Sequence, residues 1–327
     1  MFTGEHFDPE DWAELFQRAG ARFAGPVAIH HDGFAMWDSD LNPWNAGAMG
    51  PKRDMKKIAT FHHARNLQRN AADTANWEGG SSHYPYHPDY ATSSTDPKLR
   101  MLYGNMPAEE FNDYWLGQIT EVVDKYSPEI IWFDSWLTDI TLSYSSWCYI
   151  QDQTYKDAAL LLRNMIDVWS KKGVVLLNVS PKADGTIPDE QRKVLAEMGE
   201  WLDTYGEAVY NTRTHSIYGY GVASIEDGNH GGQKATIQYS ADDIRFTASK
   251  DGKALYVFCL GSPEPGEVLQ IQHVHNPADP VSSIKNVTVL GTNTPVIWEY
   301  IYSVLEIKAP EAEQMNEIAT IFKVEFE

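Results

Sequence analysis

The chain has 327 residues, 46 of them acidic against 26 Lys and Arg, for a formal charge of −20. At roughly 150 residues per domain it has room for about two domains with real cores, which excludes a single small disulfide-stapled module. A charge of this sign repels phosphate backbones and anionic lipid, so nucleic acid is excluded as a partner, and no apolar run approaches the roughly 20 residues of a membrane span. Hydrophobic residues at 43% and charged residues at 22% match ordinary folded domains. Cys148 and Cys259 are far apart in sequence, and no C-x-x-C spacing suggests a zinc ribbon or a disulfide framework. The start, MFTGEHFDPEDW, lacks the charged and apolar regions of a secretory leader, which makes a cytoplasmic location the default expectation. The 11 Trp and 17 Tyr suit either sugar-stacking surfaces or a large core.

In chain order, the first expected element is a helix from Asp8 to Ala19. Asp8 can cap it, Pro9 fits its first position, and Trp12, Leu15, Phe16 and Ala19 share a face before Gly20. The run Phe23 to Ile29 is too continuously apolar for a half-solvated strand and reads as a covered parallel strand ending at His30 and His31. The same order recurs downstream. Phe111, Trp115, Ile119, Val122 and Tyr126 mark a helix, and Ile130 to Phe133 a buried strand that stops at Asp134. Leu161, Leu162, Met165, Val168 and Trp169 mark another helix, closed by Gly173, before Val174 to Leu177 and Asn178. A further helix spans Pro188 to Tyr205.

Helix followed by buried strand, with polar residues at the strand ends, predicts a parallel α/β barrel whose site gathers at the C-terminal strand ends. A doubly wound open sheet competes, but no G-x-G-x-x-G follows the first strand. Only four strands are confidently counted before Arg213, whereas a closed barrel has eight, so the expectation is an incomplete (β/α)8-like (TIM) barrel. Exposed sheet edges of such a barrel favour self-association, so a homo-oligomer is expected. Short runs after Ile237, separated by Gly, Pro and Asp turns, predict a C-terminal antiparallel β-sandwich. The expected division is therefore 1–213 as the barrel-like domain, 214–236 as a linker and 237–327 as the sandwich.

Asp134 is the foremost candidate for chemistry. A carboxylate directly after a buried strand sits where barrel enzymes place nucleophiles or bases, although an Asp capping a following helix reads equally well from position alone. Adjacent strand residues point to opposite faces, so at most one of His30 and His31 enters a lumen unless the pleat is broken. His62 and His63 form a second pair. With Asp32 and Asp134 these histidines invite a zinc or iron reading, but no compact ligand motif such as H-E-x-x-H is present. The loop NVSPKADG, 178–185, either touches a ligand or simply turns the chain.

Three segments together resemble the alpha-L-fucosidases of glycoside hydrolase family 29. They are His30-His31-Asp32-Gly33-Phe34 with Trp37 and Gly50-Pro51-Lys52-Arg53-Asp54; Trp132-Phe133-Asp134; and Val175 to Pro181 with Asp184-Gly185, Gly199-Glu200-Trp201-Leu202 and Gly206 to Tyr210. The resemblance implies a retaining mechanism. Asp134 would form the covalent glycosyl-enzyme, while a second carboxyl about 5 Å away acts as acid and then base. It also implies that His30, His31 and His62 bind the hydroxyls of fucose, with Trp132 and Trp44 against its apolar face. The substrate would be a fucosylated oligosaccharide or glycoconjugate, and neither a metal nor another cofactor is required.

The departures are equally specific. The resemblance implies an upstream strand with a His-Trp-Gly motif that this sequence does not contain. It also implies further strands and the general acid in the stretch where Asp134 to Thr138 instead runs directly into Asp139-Ile140-Thr141. Glu78, in NWEGGSS, is the remaining general-acid candidate, against the usual solvated role of a glutamate in such a loop; Glu207 reads as structural. A fucose-binding form without hydrolysis is therefore the alternative function.

Overall fold

A computed structural model describes residues 4–25, 27–29, 33–49, 59–62, 108–128, 131–134, 139–223, 236–276 and 283–327; for residues 59–62, 108, 111, 132–134 and 139 the description is of the backbone. Helix α1 (Pro9–Arg18) begins where expected, with Glu10 and Asp11 in its first turn and Arg18 in its last, complementing the helix dipole. The chain divides into two compact units, 1–8, 22–137 and 183–186 in the first, and 9–21, 138–182 and 187–327 in the second. No helix among the described residues is long and apolar enough to cross a membrane.

The first unit is built on a three-stranded parallel sheet of β1 (Val27–Ile29), β2 (Ala59–His62) and β3 (Ile131–Asp134). After β1 comes the short helix α2 (Ala46–Met49), and between β2 and β3 runs α3 (Ala108–Tyr126), the kind of crossover a parallel pair requires. Ile119, Val122 and Tyr126, spaced for one helix face, pack with Ala28, Ile29, Ala35, Trp37 and Ile131. β1 is shorter than the apolar run that predicted it. Gly25 and Pro26 precede it, and a proline has no N–H to give to a ladder.

The second unit contains a parallel pair, β4 (Asp139–Thr141) and β5 (Leu176–Asn178), joined through α4 (Ala158–Ser170). Asp157 caps α4 by accepting from Leu160 N–H. Helix α5 (Asp189–Tyr205) follows, and α1 lies against it. Gly199 permits that approach, because a Cβ there would collide with the Arg18 carbonyl. Arg192 also forms a two-pronged ion pair with Asp11, whose hydrogen bonds hold the Asp11 carboxyl below its ordinary range.

The rest of this unit is a sandwich of two antiparallel sheets. In the larger, six strands run in the order β11 (Thr294–Pro295), β10 (Ile284–Val289), β14 (Thr320–Phe326), β8 (Ala254–Cys259), β7 (Ile244–Ser249) and β6 (Thr212–Tyr220). The smaller has β12 (Trp298–Ile301), β13 (Val304–Lys308) and β9 (Val268–Ile271). Alternation along β8 divides two cores. Ala254, Tyr256 and Phe258 join Leu161, Leu162, Ile166, Leu195 and Met198 of α4 and α5, whereas Leu255, Val257 and Cys259 face Leu305 and Ile307 between the sheets. β8 is therefore buried along its whole length, which is why it reads as a continuous apolar run.

Part of the expected linker is a strand. Thr212–Tyr220 pairs with β7 as an edge strand, with a bulge between Thr214 and Gly219. Only His215 of the nine is buried, so the segment carries no apolar alternation to announce it. Of the expected run Val296 to Tyr300 only Trp298 to Tyr300 is strand, within β12; Val296 and Ile297 separate it from β11.

Candidate active site

The C-terminal ends of β1, β2 and β3 come together in the first unit. Parallel register places Ala59 beside Ile131, Thr60 beside Trp132, Phe61 beside Phe133 and His62 beside Asp134. On the other side of β2, Ile29 at the end of β1 is level with Phe61. His62 and Asp134, separated by 71 intervening residues of sequence, thus occupy one register level as the last residues of adjacent strands. Trp132 lies two positions earlier on β3. His30, His31 and Asp32, which follow β1 directly, fall outside the described residues, as do His63 and Glu78. Among the described residues no group of three His, Cys, Asp or Glu side chains could hold a metal ion.

Trp44 lies on the excursion from Gly33 to Met49 that follows β1, and this excursion is tied back to the strand. Met36 N–H donates to Ala28 O at 2.8 Å, Ala35 N–H to Trp44 O at 2.9 Å and Ala46 N–H to Ala35 O at 2.9 Å. The tie depends on buried amides rather than on apolar packing. Asn42, fully buried, donates to Gly33 O at 2.9 Å and to Gln118 Oε1 at 3.1 Å, and its Oδ1 accepts from Trp44 N–H at 3.0 Å. Asn45 donates to Ser39 O and Asn42 O, and its Oδ1 accepts from Ala48 N–H at the start of α2.

Glu121 on α3 anchors the same excursion. Its carboxylate accepts from Trp37 Nε1 at 2.9 Å, Ser39 Oγ at 2.6 Å and Asp40 N–H at 2.6 Å, and pairs with Lys125 at 3.0 Å. Burial opposes its charge, but the donors from Ser39, Asp40, Trp37 and Lys125 outweigh that and hold the carboxyl below its ordinary range. Stability from this group is accordingly complete above its ordinary value of 4.5 and is lost as pH falls through the lower folded value. Glu121→Ala is expected to cost about 2–3 kcal/mol in urea unfolding, because buried donors, Trp37 among them, lose a charged acceptor. A loss under about 0.5 kcal/mol would show that the network carries little of the stability.

Other sequence candidates resolve into structural roles. Asp184 Oδ1 accepts from the N–H and hydroxyl of Thr186, and Gly185 has φ +92°, so the 183–186 segment is a turn, with Ala183 O and Asp184 O accepting from Gly4 and His6. In the second unit, Asn178 donates to Trp147 O, and Gln191, fully buried, holds the backbone and hydroxyl of Ser180. Glu207 accepts from Tyr256 Oη at 2.7 Å and Lys323 Nζ at 2.6 Å, a structural clasp.

Sequence reasoning missed Lys156. Its side chain is fully buried beyond the end of β4, donating to Thr141 O at 2.8 Å and Thr141 Oγ1 at 3.2 Å, and burial pushes its amine down to about 8. A single Lys in TYKDAA gives no periodic signal. The amides of Asn42 and Asn45 were likewise unmarked, although N-P-W-N is turn-like in composition.

The profile of the Alpha-L-fucosidase family matches residues 1–137 and 134–207 of this chain. The plasma alpha-L-fucosidase of Rattus norvegicus is 26% identical over 357 positions, covering 91% of this chain and 72% of that protein. Among solved structures, Thermotoga maritima alpha-fucosidase in complex with fucose has a TM-score of 0.71 at 25% identity, covering 99% of this chain and 80% of that one. An alpha-L-fucosidase of Bacteroides thetaiotaomicron, solved as a trapped covalent intermediate with 2-fluoro-fucosyl fluoride, shares the fold with a TM-score of 0.67 at 14% identity, over 100% of this chain and 83% of its own. The chain belongs to the alpha-L-fucosidase family of glycoside hydrolases.

Proposed function

We propose that this chain hydrolyses terminal alpha-L-fucosides of oligosaccharides or glycoconjugates with retention, using Asp134 as nucleophile. The observation that carries the reading is the pairing of His62 with Asp134 at the ends of adjacent parallel strands. In a parallel α/β fold, reacting groups gather at that end of the sheet. The Asp134 carboxylate attacks the anomeric carbon as the glycosidic bond breaks, giving a glycosyl ester. Water then cleaves the ester, and a second carboxyl first gives its proton to the leaving oxygen and then takes one from that water. Glu78 fills that second role in this reading, His30, His31 and His62 hold the sugar hydroxyls, and Trp132 and Trp44 pack on the apolar sugar face. The Bacteroides enzyme, solved as a covalent intermediate, is consistent with this path.

A second reading, binding with impaired hydrolysis, is favoured by a specific observation. The family profile matches in two pieces that meet at 134–137, and only residues 135–138 link β3 to β4. β3 and β4 belong to different sheets, and even one parallel crossover takes a dozen or more residues, so the further strands that the family resemblance implies here, and any acid they carry, are missing at this junction in that reading. The alignment to the rat enzyme points the same way, since its 357 positions exceed the 91% of this chain that it uses.

Leaving-group dependence tests the two readings. With an acid in place, turnover of a series of alpha-L-fucosides depends weakly on the leaving group. Without one, kcat/KM falls on the order of tenfold for each unit by which the leaving-group pKa rises, and oligosaccharides are inert. Absence of turnover for even the most activated fucoside would contradict the hydrolase reading.

A further inference from the structure

We infer that His215 and His275 form an acid-sensitive latch in the sandwich, which holds edge strand β6 to the segment 272–276 while His215 is neutral and releases it when His215 binds a proton. The strand needs such a latch. Its pairing with β7 is interrupted between Thr214 and Gly219, so the centre of β6 is held by side chains rather than by a continuous ladder.

His215 lies in that interruption and is 5% exposed. Its Nε2 is 2.9 Å from His273 O. A carbonyl only accepts, so Nε2 carries the proton and Nδ1 is bare. That Nδ1 is buried and has no hydrogen-bond partner among the described residues. The His275 ring lies 4.2 Å away, centroid to centroid, and its Nε2 is 3.1 Å from Ser216 Oγ. From β7 the Phe246 ring closes the other side, edge-on at 5.6 Å. At these histidines the strand and the segment are joined by two hydrogen bonds and one ring contact, and past the bulge by Tyr220, whose Oη accepts from Gln272 N–H at 3.1 Å and whose ring lies 6.1 Å from that of His273.

Protonation acts at Nδ1, because the Nε2–H bond to His273 O is kept in either state and favours the charged form. A second N–H on His215 would be buried where no acceptor among the described residues meets it, with the His275 ring 4.2 Å away. The titratable groups that act on His215 are His273 and His275, both on the segment, and β7 presents the uncharged Phe246. Burial, first, and the neighbouring histidines push its pKa below the ordinary 6.5, against the opposing hydrogen bond to His273. A folded pKa below the unfolded one means that the latch contributes its full stability above 6.5 and loses it as pH falls through the folded value.

Hydrogen exchange of the full chain, corrected for intrinsic rates, tests this at about pH 7.5 and about pH 5. Protection of 212–220 and 268–276 is expected to fall about tenfold or more at the lower pH relative to β8 and β14, and in His215→Phe, which keeps a flat ring but no titrating nitrogen, it should not fall. Unchanged protection in the wild type, or an equal fall in the variant, would overturn the latch. Should the variant not fold, titration of the His215 ring by nuclear magnetic resonance decides. A midpoint below 6.5 that coincides with the loss of protection supports the latch, and a midpoint at or above 6.5, or one unconnected with protection, refutes it.

Discussion

Asp134→Ala is expected to lower kcat/KM for an aryl alpha-L-fucoside by at least about a thousandfold while leaving the fold intact. A nucleophile that forms the glycosyl ester cannot be replaced by water without restoring the barrier that covalent catalysis divides. The alanine variant also leaves space beside the anomeric carbon, so added azide should restore part of the rate for an activated fucoside and give a fucosyl azide of inverted configuration. Near-normal turnover in this variant would exclude Asp134 as nucleophile and leave its place at the end of β3 as that of a helix cap or other structural group.

The largest expected stability effect lies in the second unit. Asp167 on α4 and Arg245 on β7 are both buried, with Nε 2.6 Å from Oδ1. Arg245 also donates to Tyr220 O and Ile244 O, and its guanidinium lies over the rings of Tyr239 and Tyr218 at 5.4 Å and 5.8 Å. Lys171 completes the cluster by pairing with the other Asp167 oxygen at 2.6 Å. Desolvating these charges offsets most of their attraction, so the intact pair adds little net stability. Removing one partner differs, because the guanidinium stays buried without its counter-charge. Asp167→Ala is expected to cost about 3–5 kcal/mol in urea unfolding, and Asp167→Leu combined with Arg245→Met should recover much of that. A loss below about 1 kcal/mol for the single variant would show that Arg245 finds water or another partner at small cost.

What was legible in the sequence was local. Helix periodicity placed α1, α3, α4 and α5 within a few residues, because each buries one face against something apolar. Continuous apolar runs placed β3, β5 and β8, the last of them buried along its whole length. Asp134 stood out as a carboxylate after a buried strand, and His62 as a histidine after an apolar stretch. That the two share a register level was not legible, since parallel pairing across an intervening helix leaves no local mark. β4, with three residues, is too short for a period to appear, and β6 is an edge strand whose residues mostly face solvent. The Glu121 network was hidden for a different reason. Its acceptor flanks an apolar helix stripe, and its donors lie about 80 residues earlier, on an excursion that no hydrophobic pattern defines.

The most direct test of the central claim is chemical trapping. Wild-type protein incubated with 2-fluoro-fucosyl fluoride, digested and analysed by mass spectrometry, should carry one fluorofucosyl group as an ester on Asp134. Label on a different carboxylate, or turnover of fucosides with no trappable ester at all, would contradict the account.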